Sequence, residues 1–180
     1  MLDHFGAIAE ATDRQILLYN IPYRTSVNLT NATVLRLAQL PNIVGIKDSS
    51  GCIAQSLDLL ASRPEGFSVL TGEDALFFPL LCSGVDGGIL ASAHIATDRF
   101  VAIAKLVAGN NHQAARAKWT PLMRFIPRLF QEANPMPIKH CLWRQGLIAS
   151  PECRLPLGTV SAALAAELDE CLRLFSSACD

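Results

Sequence analysis

Apolar residues recur along the first hundred positions in two alternating rhythms. Short unbroken runs at 16–21, 43–47, 67–71 and 88–92 are bounded by turn-forming residues. Between them lie longer stretches whose apolar positions return every three or four residues. The short runs read as buried strands and the longer stretches as amphipathic helices. Residues 2–12 form a helix carrying Phe5, Ile8 and Ala9, ended by Asp13-Arg14. Ile16-Leu17-Leu18-Tyr19-Asn20-Ile21 is a strand stopped by Pro22, which has no N–H to give a ladder. A loop over 23–28 leads to a helix over 29–40, which Pro41-Asn42 closes. The second strand, 43–47, runs into the turn Ser49-Ser50-Gly51. Then come a helix over 53–62, a strand over 67–71, and a helix over 75–82 that Glu73 and Asp74 open by capping and by favourable charge. A loop at 84–88, a strand over 88–92 and a helix over 98–108 complete the series.

Four units of strand, loop and helix, each about 20–28 residues long, are the rhythm of βαβ crossovers building a parallel sheet. After Gly109 the rhythm stops. Residues 113–130 read as one long helix with Trp119, Leu122, Phe125, Ile126 and Leu129 on its faces, and Trp119, Phe125 and Phe130 are assigned to packing. A helix over 138–146, an extended Leu155-Pro156-Leu157 and a helix over 160–176 follow. The expected class is therefore α/β. Four parallel strands with their helices occupy 1–109, as the C-terminal half of a (β/α)8 TIM barrel, and a helical appendage occupies 110–180. Two features suggest a half. The chain opens on a helix with no strand before it, and four strands cannot close a barrel that takes eight and about 250 residues.

Composition excludes several classes. The 180 residues carry a net charge of −1, with no basic block and no acidic tail, which argues against nucleic acid or anionic membrane as a partner. No apolar run approaches the ~20 residues of a membrane span. Met1-Leu2-Asp3-His4 lacks the basic-then-apolar pattern of a signal peptide. A cytoplasmic location is expected. The six cysteines, Cys52, Cys82, Cys141, Cys153, Cys171 and Cys179, show no Cys-x-x-Cys pair and no metal-ligand spacing. They read as reduced, mainly buried thiols, and no metal is expected. The mean hydropathy of +0.30 suits near-continuous apolar strands covered by helices, or a large partner surface.

Chemistry concentrates at the ends of the strands. In parallel α/β folds, residues at the carboxyl ends of strands line the site. Lys47 ends the second strand and Tyr19 stands near the end of the first, with adjacent strands ~4.8 Å apart. A lysine in an apolar slot becomes a nucleophile that forms a Schiff base with a ketone, and the iminium then draws electrons from the neighbouring carbon. A nearby phenol can pass protons. Arg24, just past Pro22, offers a planar fork suited to a carboxylate. Gly72 and the Gly88-Ile89 pair permit close backbone approach to a ligand. Each feature alone has a plainer reading: a solvated lysine, a rim tyrosine, a surface arginine, turn glycines. His94, past the fourth strand, is assigned to a loop.

Taken together the motifs are specific. Tyr19-Asn20-Ile21-Pro22-x-Arg24-Thr25 resembles the Y-N-x-P-x-R-T segment of the dihydrodipicolinate synthase (4-hydroxy-tetrahydrodipicolinate synthase) family. Gly45-Ile46-Lys47-Asp48-Ser49-Ser50-Gly51 is similar to the segment around that family's Schiff-base lysine. Leu70-Thr71-Gly72-Glu73-Asp74, Gly87-Gly88-Ile89-Leu90-Ala91, Asn134-Pro135-Met136-Pro137-Ile138-Lys139 and Leu155-Pro156-Leu157 resemble its later segments. The resemblance implies that Lys47 forms an imine with pyruvate and Tyr19 relays protons. It further implies that Arg24 binds the carboxylate of aspartate semialdehyde, while the backbone at Gly72 and Ile89 lines the pyruvate pocket. The activity implied is that of a class I aldolase-type lyase in lysine and diaminopimelate biosynthesis, a cytoplasmic homo-oligomer needing no cofactor. Arg24 favours this reading over the related N-acetylneuraminate lyases and 2-keto-3-deoxy acid aldolases, which generally lack an arginine there. The family's Gly-Thr-Thr-Gly-Glu segment and its interface tyrosine are absent from the chain, and Ser26 replaces the usual glycine after Arg-Thr. An N-terminally truncated member is therefore expected, with turnover impaired; the alternative is a non-catalytic half-barrel that associates through its open edges.

Overall fold

The computed structural model describes residues 1–177, which divide into two compact units, Met1–Ile89 and a second that begins at Leu90. In the first, α1 (Leu2–Glu10) precedes β1 (Ile16–Asn20). A single turn, α2 (Pro22–Thr25), and then α3 (Asn31–Leu37) lead to β2 (Ile43–Asp48). Next come α4 (Ile53–Ser62), β3 (Ser68–Thr71), a 3-10 turn at Asp74–Leu76 running into α5 (Phe77–Ser83), and β4 (Gly87–Gly88). All pairings are parallel, in the order β1-β2-β3-β4.

The strands bury one phase of their alternation. Leu18, Ile46 and Val69 pack in one cluster with Val34 and Leu37 of α3, Leu59 of α4 and Leu80 of α5. The other phase carries Leu17, Tyr19, Gly45, Lys47, Ser68 and Leu70. Leu17 and Tyr19 on that phase are exposed. Register places Tyr19 beside Lys47 and Lys47 beside Leu70. Ile16 pairs with Ile43 while Leu17 pairs with Gly45, so Val44 is an extra residue in the ladder.

Several sequence expectations need correction. Residues 23–28 are not all loop, because Pro22 starts a helical turn that Ser26 ends in the left-handed region at φ 58°. The helix expected over 29–40 is shorter: Thr30 caps it, accepting a hydrogen bond from Thr33 N–H, and a cap residue stands outside the helix. The strand expected over 88–92 is only Gly87–Gly88. Ile89 N–H adds one more bond to Thr71 C=O, then Ala91 turns helical at φ −71°, ψ −41° into a 3-10 turn at Ser92–His94. Glu73 makes no side-chain cap bond.

The second unit holds α6 (Thr97–Ala108), α7 (His112–Phe125), α8 (Met136–Arg144) and α9 (Ala162–Ser177). The long helix expected over 113–130 tightens into a 3-10 segment at Ile126–Phe130, where Pro127 has no N–H for the α ladder. α6 packs on α7, with Phe100 edge-on to Trp119. Phe125, Leu129, Ile138, Cys141, Leu164 and Leu168 form the unit's core, and Phe130 is exposed. Asp169 accepts from Arg144 Nε at 3.0 Å and lies 2.9 Å from His140 Nε2, tying α8 to α9. Leu155-Pro156-Leu157 is a turn, closed by Leu157 N–H to Arg154 C=O. The boundary between the units, at Ile89/Leu90, lies upstream of the 109/110 boundary that the strand–helix rhythm sets.

Gly45 in β2 has no room for a side chain: a Cβ there would stand 2.5 Å from the Ser68 carbonyl oxygen. Gly45→Ala therefore forces β2 and β3 apart. A loss of about 1–3 kcal/mol is expected, read as a lower urea midpoint with an unchanged slope.

Candidate active site

The carboxyl ends of β1 and β2 are held by a buried polar cluster. Asp48, the last residue of β2, is 5% exposed and Asn20, the last residue of β1, is 1% exposed. Asp48 Oδ1 accepts from Asn20 Nδ2 at 3.1 Å and from Ser50 N–H at 3.0 Å. Its Oδ2 accepts from Ser50 Oγ at 3.0 Å and from Ser56 Oγ of α4 at 2.7 Å. Asn20 also donates to Asn28 Oδ1 at 2.9 Å and accepts from Leu29 N–H at 3.0 Å. One carboxylate and one amide thus tie two strand ends, the turn after β2, the chain before α3, and α4. Neither residue was singled out from the sequence. The available signal was a polar residue in the buried phase of an apolar strand, in each of the two motifs.

Successive strand residues point to opposite faces, so anchoring Asp48 aims Lys47 the other way. Lys47 Nζ lies 4.1 Å from the centre of the Tyr19 ring, over its face. Such contact orients the ammonium by cation–π attraction. Gly72, after β3, completes the floor. A Cβ there would stand 2.7 Å from Lys47 Cε and 2.0 Å from Ser49 Oγ, so the lysine side chain lies where only a glycine leaves space. The N–H groups of Gly72 and Ile89 are spent on the carbonyls of Asp48 (2.7 Å) and Thr71 (3.0 Å). What their backbone can offer a ligand is carbonyl oxygen and, at Gly72, close approach.

Arg24 stands in α2, exposed, its guanidinium 5.6 Å from the Tyr23 ring centre and within electrostatic reach of Tyr19. Its pKa is raised further by the hydrogen bond to Tyr23 and then by that residue's charge. Sequence reasoning gave Tyr23 no role, although an aromatic next to the arginine was legible. Glu73 was also missed as a site residue. Burial pushes its carboxyl up, the negative charges of Asp74 and Asp48 push in the same direction, and Lys47 pulls it down. Thr71 Oγ1 holds the Glu73 N–H at 3.1 Å.

His94 is exposed in the Ser92–His94 turn of the second unit. Among the described cysteines only Cys141 is fully buried, and burial raises its thiol to about 12; Cys52 and Cys82 are exposed, correcting the expectation of mainly buried thiols. Cys179 lies outside the described residues. Among the described residues no group of His, Cys, Asp and Glu could hold a metal ion, and no helix is long and apolar enough to cross a membrane.

Fold and site define a parallel α/β protein of the (β/α) barrel class that presents an amine against a phenol ring at the carboxyl ends of adjacent strands. Within that class the chain belongs to the dihydrodipicolinate synthetase family, whose model matches residues 1–174. A 4-hydroxy-tetrahydrodipicolinate synthase of Clostridium acetobutylicum is 47% identical over 170 residues, covering 94% of this chain and 59% of that protein. One from Laribacter hongkongensis is 39% identical, covering 96% and 59%. Among solved structures, the dihydrodipicolinate synthase of Aquifex aeolicus overlays with a TM-score of 0.93 at 30% identity, covering 97% of this chain and 60% of that one. The 4-hydroxy-tetrahydrodipicolinate synthase of Methylacidiphilum fumariolicum gives 0.93 at 34% identity, covering 98% and 59%. The chain thus spans about 60% of the length of the relatives it matches.

Two outcomes test this geometry. Gly72→Ala drives a methyl into the Lys47 side chain and displaces the amine from Tyr19. The variant should stay folded by circular dichroism yet lose the ultraviolet difference signal of an amine on a tyrosine ring. The second concerns pH. Because the Glu73 carboxyl is raised in the folded state, its contribution to stability is full below the ordinary value of 4.5 and is lost as pH rises through the raised one. Glu73→Gln should melt close to wild type in acid and progressively above it as pH rises through the raised value, as followed by thermal unfolding across pH.

Proposed function

We propose that this chain carries the imine-forming part of a pyruvate-dependent lyase, which condenses pyruvate with aspartate semialdehyde toward lysine and diaminopimelate. The observation that carries the reading is Lys47 Nζ over the Tyr19 ring, at the ends of neighbouring parallel strands. In this mechanism the neutral amine adds to the keto carbon of pyruvate and the carbonyl π pair moves onto oxygen. Tyr19 passes that oxygen a proton from the nitrogen, a second proton comes from solvent, and water leaves as the nitrogen lone pair closes the iminium. The iminium accepts the electron pair freed when a methyl proton is removed. The resulting enamine attacks the aldehyde carbon of the second substrate, whose π pair moves onto oxygen and takes up a proton, and the product amine displaces Lys47 by transimination. No cofactor is needed, because the lysine imine is itself the electron sink.

Arg24 on the rim supplies a planar, always-charged fork for the second carboxylate, and Tyr23 stacks against it. That charge favours an acceptor bearing a carboxylate, such as aspartate semialdehyde, over the uncharged sugar-derived aldehydes of N-acetylneuraminate lyases and 2-keto-3-deoxy acid aldolases. A second reading rests on the exposed sheet face, where Leu17 and Tyr19 are 39% and 45% exposed. Such a face suits a chain that works in association, as a cytoplasmic homo-oligomer or as a half-barrel inactive by itself. One solved relative is described as a monomeric variant, so light scattering on the purified chain is the measurement that decides between monomer and assembly.

Borohydride added with pyruvate should leave a reduced adduct on the Lys47 peptide, and none on Lys47→Arg. A folded wild-type chain that stays unlabelled would falsify the imine. Tyr19→Phe should label about 10²- to 10⁴-fold more slowly. Arg24→Ala should keep the pyruvate adduct while weakening aspartate semialdehyde as co-substrate.

A further inference from the structure

Ser49 is 2% exposed, and its hydroxyl finds no hydrogen-bond partner among the described residues. A buried hydroxyl without a partner costs about 1–3 kcal/mol, and native folds retain few of them. This one stands at a particular place. Ser49 is two residues past Lys47 and continues the ladder, its N–H donating to Asn20 C=O at 2.8 Å, so its side chain shares the face of Lys47. Its Oγ and Lys47 Cε lie 2.0 and 2.7 Å from a single point, the position a Gly72 Cβ would take. The missing side chain of Gly72 therefore opens a space that the lysine stem and the serine hydroxyl share. The hydroxyl is also held rigidly from behind. Its flanking residues, Asp48 and Ser50, are joined by two hydrogen bonds of 3.0 Å.

We infer that Ser49 is a further catalytic residue, whose hydroxyl hydrogen-bonds the oxygen of the carbinolamine formed at Lys47. As the lysine nitrogen bonds to the keto carbon, the carbonyl π pair moves onto oxygen, and negative charge grows where a donor is needed. Ser49 Oγ–H supplies that donor without giving up its proton. The first proton that oxygen takes comes from the nitrogen by way of Tyr19, and a second, from solvent, makes it a leaving water. The orphaned hydroxyl is then a group whose partner arrives with the substrate, so its desolvation cost is already met before reaction. The inference rests on the Schiff-base reading of Lys47 and adds a second donor to it.

The test is the rate of borohydride-trappable adduct formation on the intact chain across pyruvate concentrations. Ser49→Ala removes an unsatisfied hydroxyl, so its melting temperature should equal or exceed wild type. Its trapping rate at saturating pyruvate should fall about 100-fold, with the half-saturating pyruvate concentration changed less than about twofold. Ser49→Cys, of the same shape but a weaker donor, should fall between the two and serves if the alanine variant does not fold. Trapping by Ser49→Ala at the wild-type rate, or a loss confined to half-saturation, overturns the role of Ser49 and leaves the Lys47 imine standing. Absence of any adduct on folded wild type overturns both.

Discussion

A buried carboxylate at the end of β2 is the constraint on which the site depends. Asp48 accepts four hydrogen bonds from Asn20, Ser50 and Ser56, and charge-assisted bonds of that kind stabilise by about 1.5–3 kcal/mol each when their partners are otherwise buried. Removing the carboxylate would leave Asn20 Nδ2 with only its bond to Asn28 and the Ser56 hydroxyl with only the longer bond to the Cys52 carbonyl at 3.3 Å. The cluster therefore forms completely or at high cost, and this makes the strand ends rigid. Lys47 inherits that rigidity. It is adjacent in sequence and opposite in direction, so locking one residue aims the other.

The two faces of the sheet divide the work. The buried phase of Leu18, Ile46 and Val69 supplies the apolar driving force against α3, α4 and α5. The opposite phase carries Tyr19, Lys47 and, past the strand, Ser49. Two glycines make that face usable. Gly45 lets β2 and β3 approach at the Ser68 carbonyl, and Gly72 leaves a hollow for the lysine stem. A side chain at either position would cost packing and would also move the amine. Stability and the placement of the Lys47 amine thus rest on the same few backbone positions.

Much of this was legible beforehand because strand and helix differ in hydrophobic period. The buried runs at 16–21 and 43–47 marked β1 and β2 almost to the residue, and 53–62 matched α4. The errors came where local chemistry overrode the pattern. Pro22 began a helical turn inside an expected loop, Thr30 capped a helix expected to include it, and Pro127 tightened a long one. The apolar run after Gly88 looked like a strand, but Ala91 turned helical and left two residues of β4. Apolar character reports burial, and burial is common to strands and to tight turns.

The sequence by itself determined the parallel α/β class, the candidate lysine, tyrosine and arginine, and the family, because these follow from periodicity and from motifs a few residues long. Only the tertiary structure decided how those residues meet. It set the lysine amine over the tyrosine face, left Arg24 on the rim against Tyr23, and placed Glu73 where burial raises its carboxyl. It also showed that Asn20 and Asp48, mere neighbours of the chemical residues in sequence, hold the site together from behind. The physical reason is separation along the chain. Hydrogen bonds between two strand ends, and the space left by a glycine on a third, exist only once the strands lie side by side.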